Sequence, residues 1–512
     1  MSAPPPPQTT AGVEAYSAIS NAMKLASSLV VSFGITIAVR QVLIPRMLGT
    51  ERYGELNFAD GFAGLFLVAA WLGVDTWLRK ELGVTVKSAQ GIYGGILVIR
   101  LGFAVVLTTA MAVTLGLLGR SDTIILMAVI FGISQLMVMA QNTASALLHA
   151  AGKVGGISIA NIVGKLLWAG IVIPALFMQL SIVWLAVAFL ISETFKAVCA
   201  TWLAARHQGI TLAVDLKAAF KAMKAALPFW VNAIALAGAG RADVAVVGTL
   251  AAGILGSHAA ADREVGWYTV VLGIGSMLMV MTPVLGWVLM PLLSRALQRS
   301  QEEAGKIIRR AFEVCIVIGT PLSVGAFVAA DELIAIYKPE YAPSALVLKI
   351  MAWTYVLTYL NIVSANCLSA LGRGWTVTLT SISTLLLTPA IDFFLVPFAL
   401  KTWGPGYGAA ACGVSIVIAE TLTTGLMVKR LGHLAFDQRL ISIVIRTGIT
   451  AACVIALDVA LAHLTPIGPW VRVGICAASY VVLALATRSV RPGEAKAFIV
   501  LARAQRAARG AA

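Results

Sequence analysis

A run of about 20 apolar residues near Leu25 is followed by many more like it, the last falling in the final fifth of the chain. Few folds admit that repetition. Inside lipid a helix satisfies its own backbone hydrogen bonds, and it needs about 20 residues to cross. Composition agrees: 59% of the 512 residues are hydrophobic and 12% are charged, where soluble domains carry about 25% charged residues. Mean hydropathy is +0.91. The expectation is an all-α polytopic membrane protein. Hydropathy windows give about fourteen transmembrane helices, near 30–44, 56–77, 92–118, 124–148, 157–179, 182–204, 226–250, 267–292, 312–335, 345–370, 375–398, 407–428, 441–463 and 470–487.

The opening, MSAPPPPQTTAGVEAYSA, is polar and proline-rich and lacks a cleavable signal. It reads as a disordered tail, with the first span, near Leu25 to Ile44, as an uncleaved anchor. Basic residues crowd one set of connections: Arg79, Lys80 and Lys87, then Lys153, Arg206, Lys217, Lys221 and Lys224. The same set continues through Arg295, Arg299, Lys306, Arg309, Arg310, Arg373, Lys429, Arg430 and Arg439 to the tail after Arg488. The opposite set holds Arg46, Arg52, Arg120, Arg263, Lys338 and Lys401. Both termini are therefore expected to be cytoplasmic. The same asymmetry accounts for most of the net charge of +15, so no nucleic-acid partner is needed to explain it.

No P-loop appears, and no connection is long enough to fold a nucleotide-binding domain. That argues against transport driven by the chain's own ATPase. An enzyme would be expected to carry catalytic groups on a substantial outward loop. The longest outward connection, 251–266, offers only His258 and Asp262, four apart with no further partner. The six cysteines are scattered singly through apolar runs and read as small core residues, so neither metal nor cofactor is expected.

Two short stretches echo each other. TERYGELNF (50–58) aligns with DREVGWYTV (262–270), setting Gly54 against Gly266, 212 residues on. LLHAAGKVGG (147–156) resembles NCLSALGRGW (366–375), and Gly152 matches Gly372, 220 on, with a one-residue shift. Six spans, an even number, separate the copies, so they run in the same direction and would be related by an axis along the membrane normal.

Charge inside the spans is the remaining puzzle. Arg241 and Asp243 interrupt AIALAGAGRADVAVVGTLAAG (233–253). Two residues apart on a helix, they point about 200° away from each other and cannot neutralise one another. Arg241 falls near mid-depth, where a charge costs from about 2.5 kcal/mol upward. Either a partner helix supplies an acid, or Arg241 lines a hydrated cavity. Other bases within spans are Arg40, Arg100, Lys165, Lys196 and Lys349; the acids are Asp60, Glu193, Asp392, Glu420 and Asp458. Glu193 and Lys196, three apart, are expected to pair, and Arg40 to reach Asp60. Lys349, Asp392 and Asp458 lie near predicted span ends, within reach of the headgroups.

The order of several loose, mostly apolar motifs resembles bacterial polysaccharide flippases of the multidrug/oligosaccharidyl-lipid/polysaccharide exporter superfamily. The motifs are RMLGTERYGELNFADGF (46–62), GVDTWLRKE (73–81), ALPFWVNAIALAGAGRADVAVVGTL (226–250) with VGWYTV (265–270), LMPLLSRAL (289–297), KPEYAPSALVLKIM (338–351), and the stretch 368–420. The resemblance covers nearly the whole chain. It implies two six-helix lobes in a parallel pseudo-twofold arrangement plus two C-terminal helices. The expected division is a tail at 1–16, an N-terminal lobe at 17–206, a cytoplasmic linker at 207–225, a C-terminal lobe at 226–430, two extra spans at 431–487 and a basic tail at 488–512.

The resemblance further implies export of a lipid-diphosphate-linked oligosaccharide across the bacterial cytoplasmic membrane by alternating access, for surface polysaccharide biosynthesis. Polymerase and export machinery would be its partners, and membrane lipids its surroundings. A cavity lined with Arg and Lys would replace the hydration that a diphosphate loses in lipid. Arg241, Arg100, Lys165 and Arg40 are the expected headgroup contacts. Asp243, Asp60 and Glu420 are expected to orient arginines or to couple proton or sodium movement. Rival readings are a peptidoglycan-precursor flippase, a small-molecule exporter of the same superfamily, and a polytopic glycosyltransferase or polymerase.

Overall fold

The computed structural model describes residues 31–75, 92–150, 155–208, 213–280, 282–464 and 467–487. The two expected tails, the start of the first span, Arg79, Lys80, Lys87, Gly152 and Lys153 lie outside these residues. Among the described residues every regular element is a helix, as an all-α membrane protein requires. The long ones are α1 (Val31–Trp71), α2 (Ile92–Leu117), α3 (Asp122–Ala150), α4 (Gly155–Phe177), α5 (Val183–Gln208), α6 (Leu216–Leu255) and α7 (His258–Leu278). They continue with α8 (Thr282–Arg299), α9 (Gln301–Val328), α10 (Pro343–Ala370), α11 (Gly374–Trp403), α12 (Tyr407–Leu431), α13 (Gln438–Leu464) and α14 (Pro469–Ala486). Eleven of them, all but α6, α7 and α8, are long and apolar enough to cross a membrane. The chain is a multi-pass membrane protein.

The first helical run, α1, holds two of the expected spans. Arg40 and Asp60 would stand about 30 Å apart on a straight helix, yet their side chains meet at 2.6 Å. The chain must fold back between them. It does so at Gly49, whose φ of 82° is open to glycine without a Cβ clash.

Two expected loops are instead helix. The stretch 251–266 was expected as a long outward connection, but α6 runs through to Leu255 and α7 starts at His258. Gly256, at φ 63°, ends α6 in the left-handed conformation. The Ser257 hydroxyl accepts the Ala260 N–H at 3.4 Å. Likewise the second half of the expected linker 207–225 is the start of α6, capped by Asp215 accepting the Ala218 N–H at 2.9 Å. The expected span 267–292 is divided between α7 and α8. At the start of α9, Ser300 accepts the Glu303 N–H at 3.0 Å.

Two compact units form, residues 1–269 and 270–512. The first extends beyond the expected lobe boundary at 206 because α6 packs on α1 and α2. Inside it α3 and α4 both pack along α5, over a core that includes Tyr93, Ile96, Leu147 and Ile157. In the second unit α10 packs between α9 and α12, and α11 lies along α12, around Phe312, Tyr359 and Leu368. Helices α13 and α14 pack on α9 through Val324, Val328, Val454 and Cys476. Asp392 is fully buried well inside α11, not at a span end, because that helix continues to Trp403. Asp458 meets Arg472 at 3.2 Å, and Lys349 meets Asp331 at 2.7 Å, so each has a protein partner.

The echoed stretches 50–58 and 262–270 touch each other in the first unit. A Cβ at Gly54 would lie 1.7 Å from the Asp262 carbonyl oxygen, and one at Gly266 would lie 2.2 Å from that of Thr50. Thr50 and Asp262 are aligned positions, as are Gly54 and Gly266. Each copy therefore presents its glycine to the other's equivalent backbone. Glu51 and Arg263, also aligned, meet at 3.0 Å. Reciprocity of this kind is the mark of a local twofold between the two stretches. Alongside it, Arg120 from the α2–α3 turn donates to Asp262 at 2.7 Å and to the Gly248 carbonyl at 2.8 Å, with its guanidinium 3.9 Å from the centroid of the Phe58 ring. Asp262 thus has the partner that the sequence did not reveal.

Candidate functional site

The first unit gathers three of the four expected cations near one helical surface. Arg40 sits on a π-helical segment, Ile37–Leu43, a local widening of the helix often found at functional sites. Its guanidinium donates to Asp60 at 2.6 Å and remains about one-third exposed. One turn beyond Asp60, on the same face of α1, stands Gly64. A Cβ there would lie 2.3 Å from Arg241 Nε and 2.8 Å from its Cζ, so the missing side chain is what leaves room for the Arg241 guanidinium. Among the described residues no acid lies within 4 Å of Arg241. Arg40 and Arg241 are thereby held at successive turns of one helix.

Lys165, on α4, places its ammonium 4.6 Å from the centroid of the Trp168 ring, one turn along the same face. Arg40, Lys196 and Glu193 lie within electrostatic reach of it. Lys196 is tied to Glu193 at 2.6 Å, as their spacing predicts, whereas Lys165 has no acid within 4 Å among the described residues. Trp168 and Arg40 both line a small cavity of about 20 Å³, together with Tyr53, Asn57 and Phe189. Four bases face two acids here, leaving a surplus of positive charge beside aromatic and amide groups. Such a set can hold an anion through charge-assisted hydrogen bonds and offer ring faces to a sugar.

The other expected residues lie elsewhere. Arg100 is fully buried. One terminal nitrogen donates to the Met139 carbonyl at 3.1 Å and to Thr143; the other donates to the Trp71 carbonyl at 2.6 Å and to Asp75 at 3.2 Å. It braces α1, α2 and α3 rather than lining the cavity. Asp243, two residues from Arg241, is buried and accepts the Tyr268 hydroxyl at 3.0 Å. Glu420 belongs to the second unit, on α12. Among the described residues no cluster of His, Cys, Asp or Glu gathers that would hold a metal ion.

Trp168, Tyr53, Asn57 and Gly64 were not singled out from the sequence. Trp168 carried a readable signal, being three residues from Lys165 on a helix. Gly64 carried none, since its neighbour is 177 residues away.

A family model described as polysaccharide biosynthesis protein matches residues 43–341. The chain belongs to that family. In three dimensions it is similar to an inward-facing multidrug resistance MATE transporter of the MOP superfamily, with a TM-score of 0.60, 15% identity, and 79% of this chain and 98% of that chain covered. It is equally similar to the lipid II flippase MurJ in an inward closed conformation, with a TM-score of 0.60, 11% identity, and coverages of 85% and 96%. A MATE transporter in complex with MaD3S follows at a TM-score of 0.54 and 16% identity, with coverages of 81% and 96%. These likenesses establish the fold. No curated protein matches the chain in sequence.

Proposed function

We propose that this protein is a flippase that carries a polyprenyl-diphosphate-linked oligosaccharide across the bacterial cytoplasmic membrane by alternating access, supplying surface polysaccharide assembly. The observation that carries the reading is the pair of bases, Arg241 and Lys165, kept without an acid within 4 Å inside a membrane bundle of the polysaccharide biosynthesis family. A base so placed costs stability unless a mobile anion visits it. Arg40, Lys165 and Arg241 are the proposed headgroup contacts, with Lys196 beside them; Arg100 is left out because it is enclosed by its own partners. Trp168 supplies a face for a sugar ring. Asp243 and Glu420 are the proposed carriers of a coupling proton or sodium ion.

The test is reconstitution in liposomes with a fluorescent diphosphate-linked oligosaccharide, scored by its change of leaflet. The intact chain is expected to move the label, and Arg241→Ala to abolish movement while melting at the same temperature as the parent, since no acid is orphaned. Movement no faster than in empty vesicles overturns the reading. Normal movement by Arg241→Ala removes that residue from the site.

A further inference from the structure

The second unit carries a set of bases that no acid answers. Arg373 immediately precedes α11, and Lys429 and Arg430 lie in the last turn of α12. The Arg373 guanidinium donates to the Arg430 carbonyl at 2.7 Å, so the two helix ends are tied at one corner. That bond satisfies one of the carbonyls left open where α12 ends. It uses one of the five N–H donors of a guanidinium. All three bases are exposed, and among the described residues none has an acid within 4 Å. The next acid along the chain, Asp437, is engaged by Arg309 at 3.3 Å.

What borders this corner is lipid. On α11, Trp375, Leu379, Leu386, Phe393, Phe394 and Phe398 are between 56% and 74% exposed. From Trp375 to Phe398 no exposed residue is charged. That stretch is about 35 Å of helix, close to the roughly 30 Å hydrocarbon core, so its outer side faces acyl chains. On α12 the exposed Leu422 and Leu426 lie on the stripe that ends at Lys429. Trp375 marks the depth of the headgroups, where an indole keeps its ring in the apolar layer and its N–H in the wet one. Arg373 stands two residues nearer the helix start. At the other end of α11, residues 398–407 include one base, Lys401. A zwitterionic headgroup brings its own cation with its phosphate and would leave the three bases unanswered. An anionic headgroup matches them.

We propose that this corner binds an anionic phospholipid, its phosphate held by Arg373, Lys429 and Arg430 and its acyl chains laid against α11 beside Trp375 and Leu379. An arginine can hold two phosphate oxygens at once, and a lysine adds a compact charge. Bound there, the lipid joins the start of α11 to the end of α12 from outside the bundle. The inference depends on the membrane fold and not on which substrate the protein carries.

The experiment uses the full chain in phosphatidylcholine nanodiscs that contain a trace of photoactivatable phosphatidylglycerol, and cross-linked peptides are mapped. Labelling is expected within 373–386 and 422–430. Lys429→Gln, which leaves the bond between Arg373 and the Arg430 carbonyl in place, is expected to lower it about fivefold, roughly the factor a base contributes at a membrane surface. Adding Arg373→Gln is expected to lower it about fivefold again. Raising salt from about 0.15 to 1 M, which shortens the screening length from about 8 to 3 Å, is expected to weaken it as well. A photoactivatable phosphatidylcholine at the same level should label the corner at least about fivefold less. Equal labelling by the two lipids overturns the proposal by making the corner ordinary lipid boundary. Labelling unchanged in both variants, or spread evenly over the other helices, also overturns it. Millimolar inorganic phosphate should leave labelling intact, and displacement by it overturns the lipid as occupant. Leaflet transfer is not read in this experiment, so the lipid site and the flippase reading stand or fall separately.

Discussion

Arg100 and Arg241 show how two arginines in one bundle take opposite parts. Arg100 has Asp75, Thr143 and two carbonyls around its terminal nitrogens, so removing its charge strands a buried carboxylate. Breaking a buried pair from one side costs about 3–5 kcal/mol, whereas replacing both members is far milder. Arg100→Met is therefore expected to lower the thermal unfolding midpoint in detergent sharply, and Arg100→Met with Asp75→Leu to recover most of it. A double variant no more stable than the single one would mean that Arg100 is not held by Asp75. Arg241 has no such partner to strand, so its loss should appear in transport and not in melting. The same logic separates Lys165 from Lys196: Lys196 pairs with Glu193, while Lys165 lies over a ring with no acid within 4 Å among the described residues.

Between elements, glycine decides how closely helices approach. At Gly54 and Gly266 the backbones of α1 and α7 meet so closely that any Cβ must displace main-chain atoms. Overpacking of this kind costs about 1–3 kcal/mol or more, because backbone cannot rotate away as a side chain can. Gly54→Ala is expected to lower the unfolding midpoint, while Gly253→Ala, where a Cβ meets nothing within 4 Å, should leave it unchanged. Equal midpoints for the two would show that the crossing tolerates the extra atom. Beside the crossing, Arg120 ties the α2–α3 turn to α6 and α7 through one guanidinium.

Across the whole molecule, the last two helices are structural members of the second unit. Glu313 and Glu332 are both buried. Glu313 takes Arg439 at 2.8 Å in addition to Arg310, and Glu332 takes Arg472 at 2.8 Å. Both Arg439 and Arg472 come from α13 and α14. A chain ending at Asp437 would bare the apolar face of α9 and leave Glu332 without its cation, a combination lipid does not repair. Such a truncation is expected to yield little monodisperse protein on size exclusion. A well-behaved truncated chain would show that α13 and α14 are appendages.

The sequence by itself determined that the chain is helical, that it crosses a membrane many times, that Glu193 would meet Lys196, and that residues 50–58 and 262–270 resemble each other. Those conclusions depend on composition and on spacing within a helix, where neighbours are fixed by 3.6 residues per turn. Tertiary structure alone decided that Gly49 reverses the chain, that 251–266 is helix, and that Arg100 belongs to Asp75. It also decided that Gly64 makes room for Arg241 and that Asp262 belongs to Arg120. The last three are meetings of residues far apart in the chain. Periodicity says which face a residue occupies, and only packing says what that face touches.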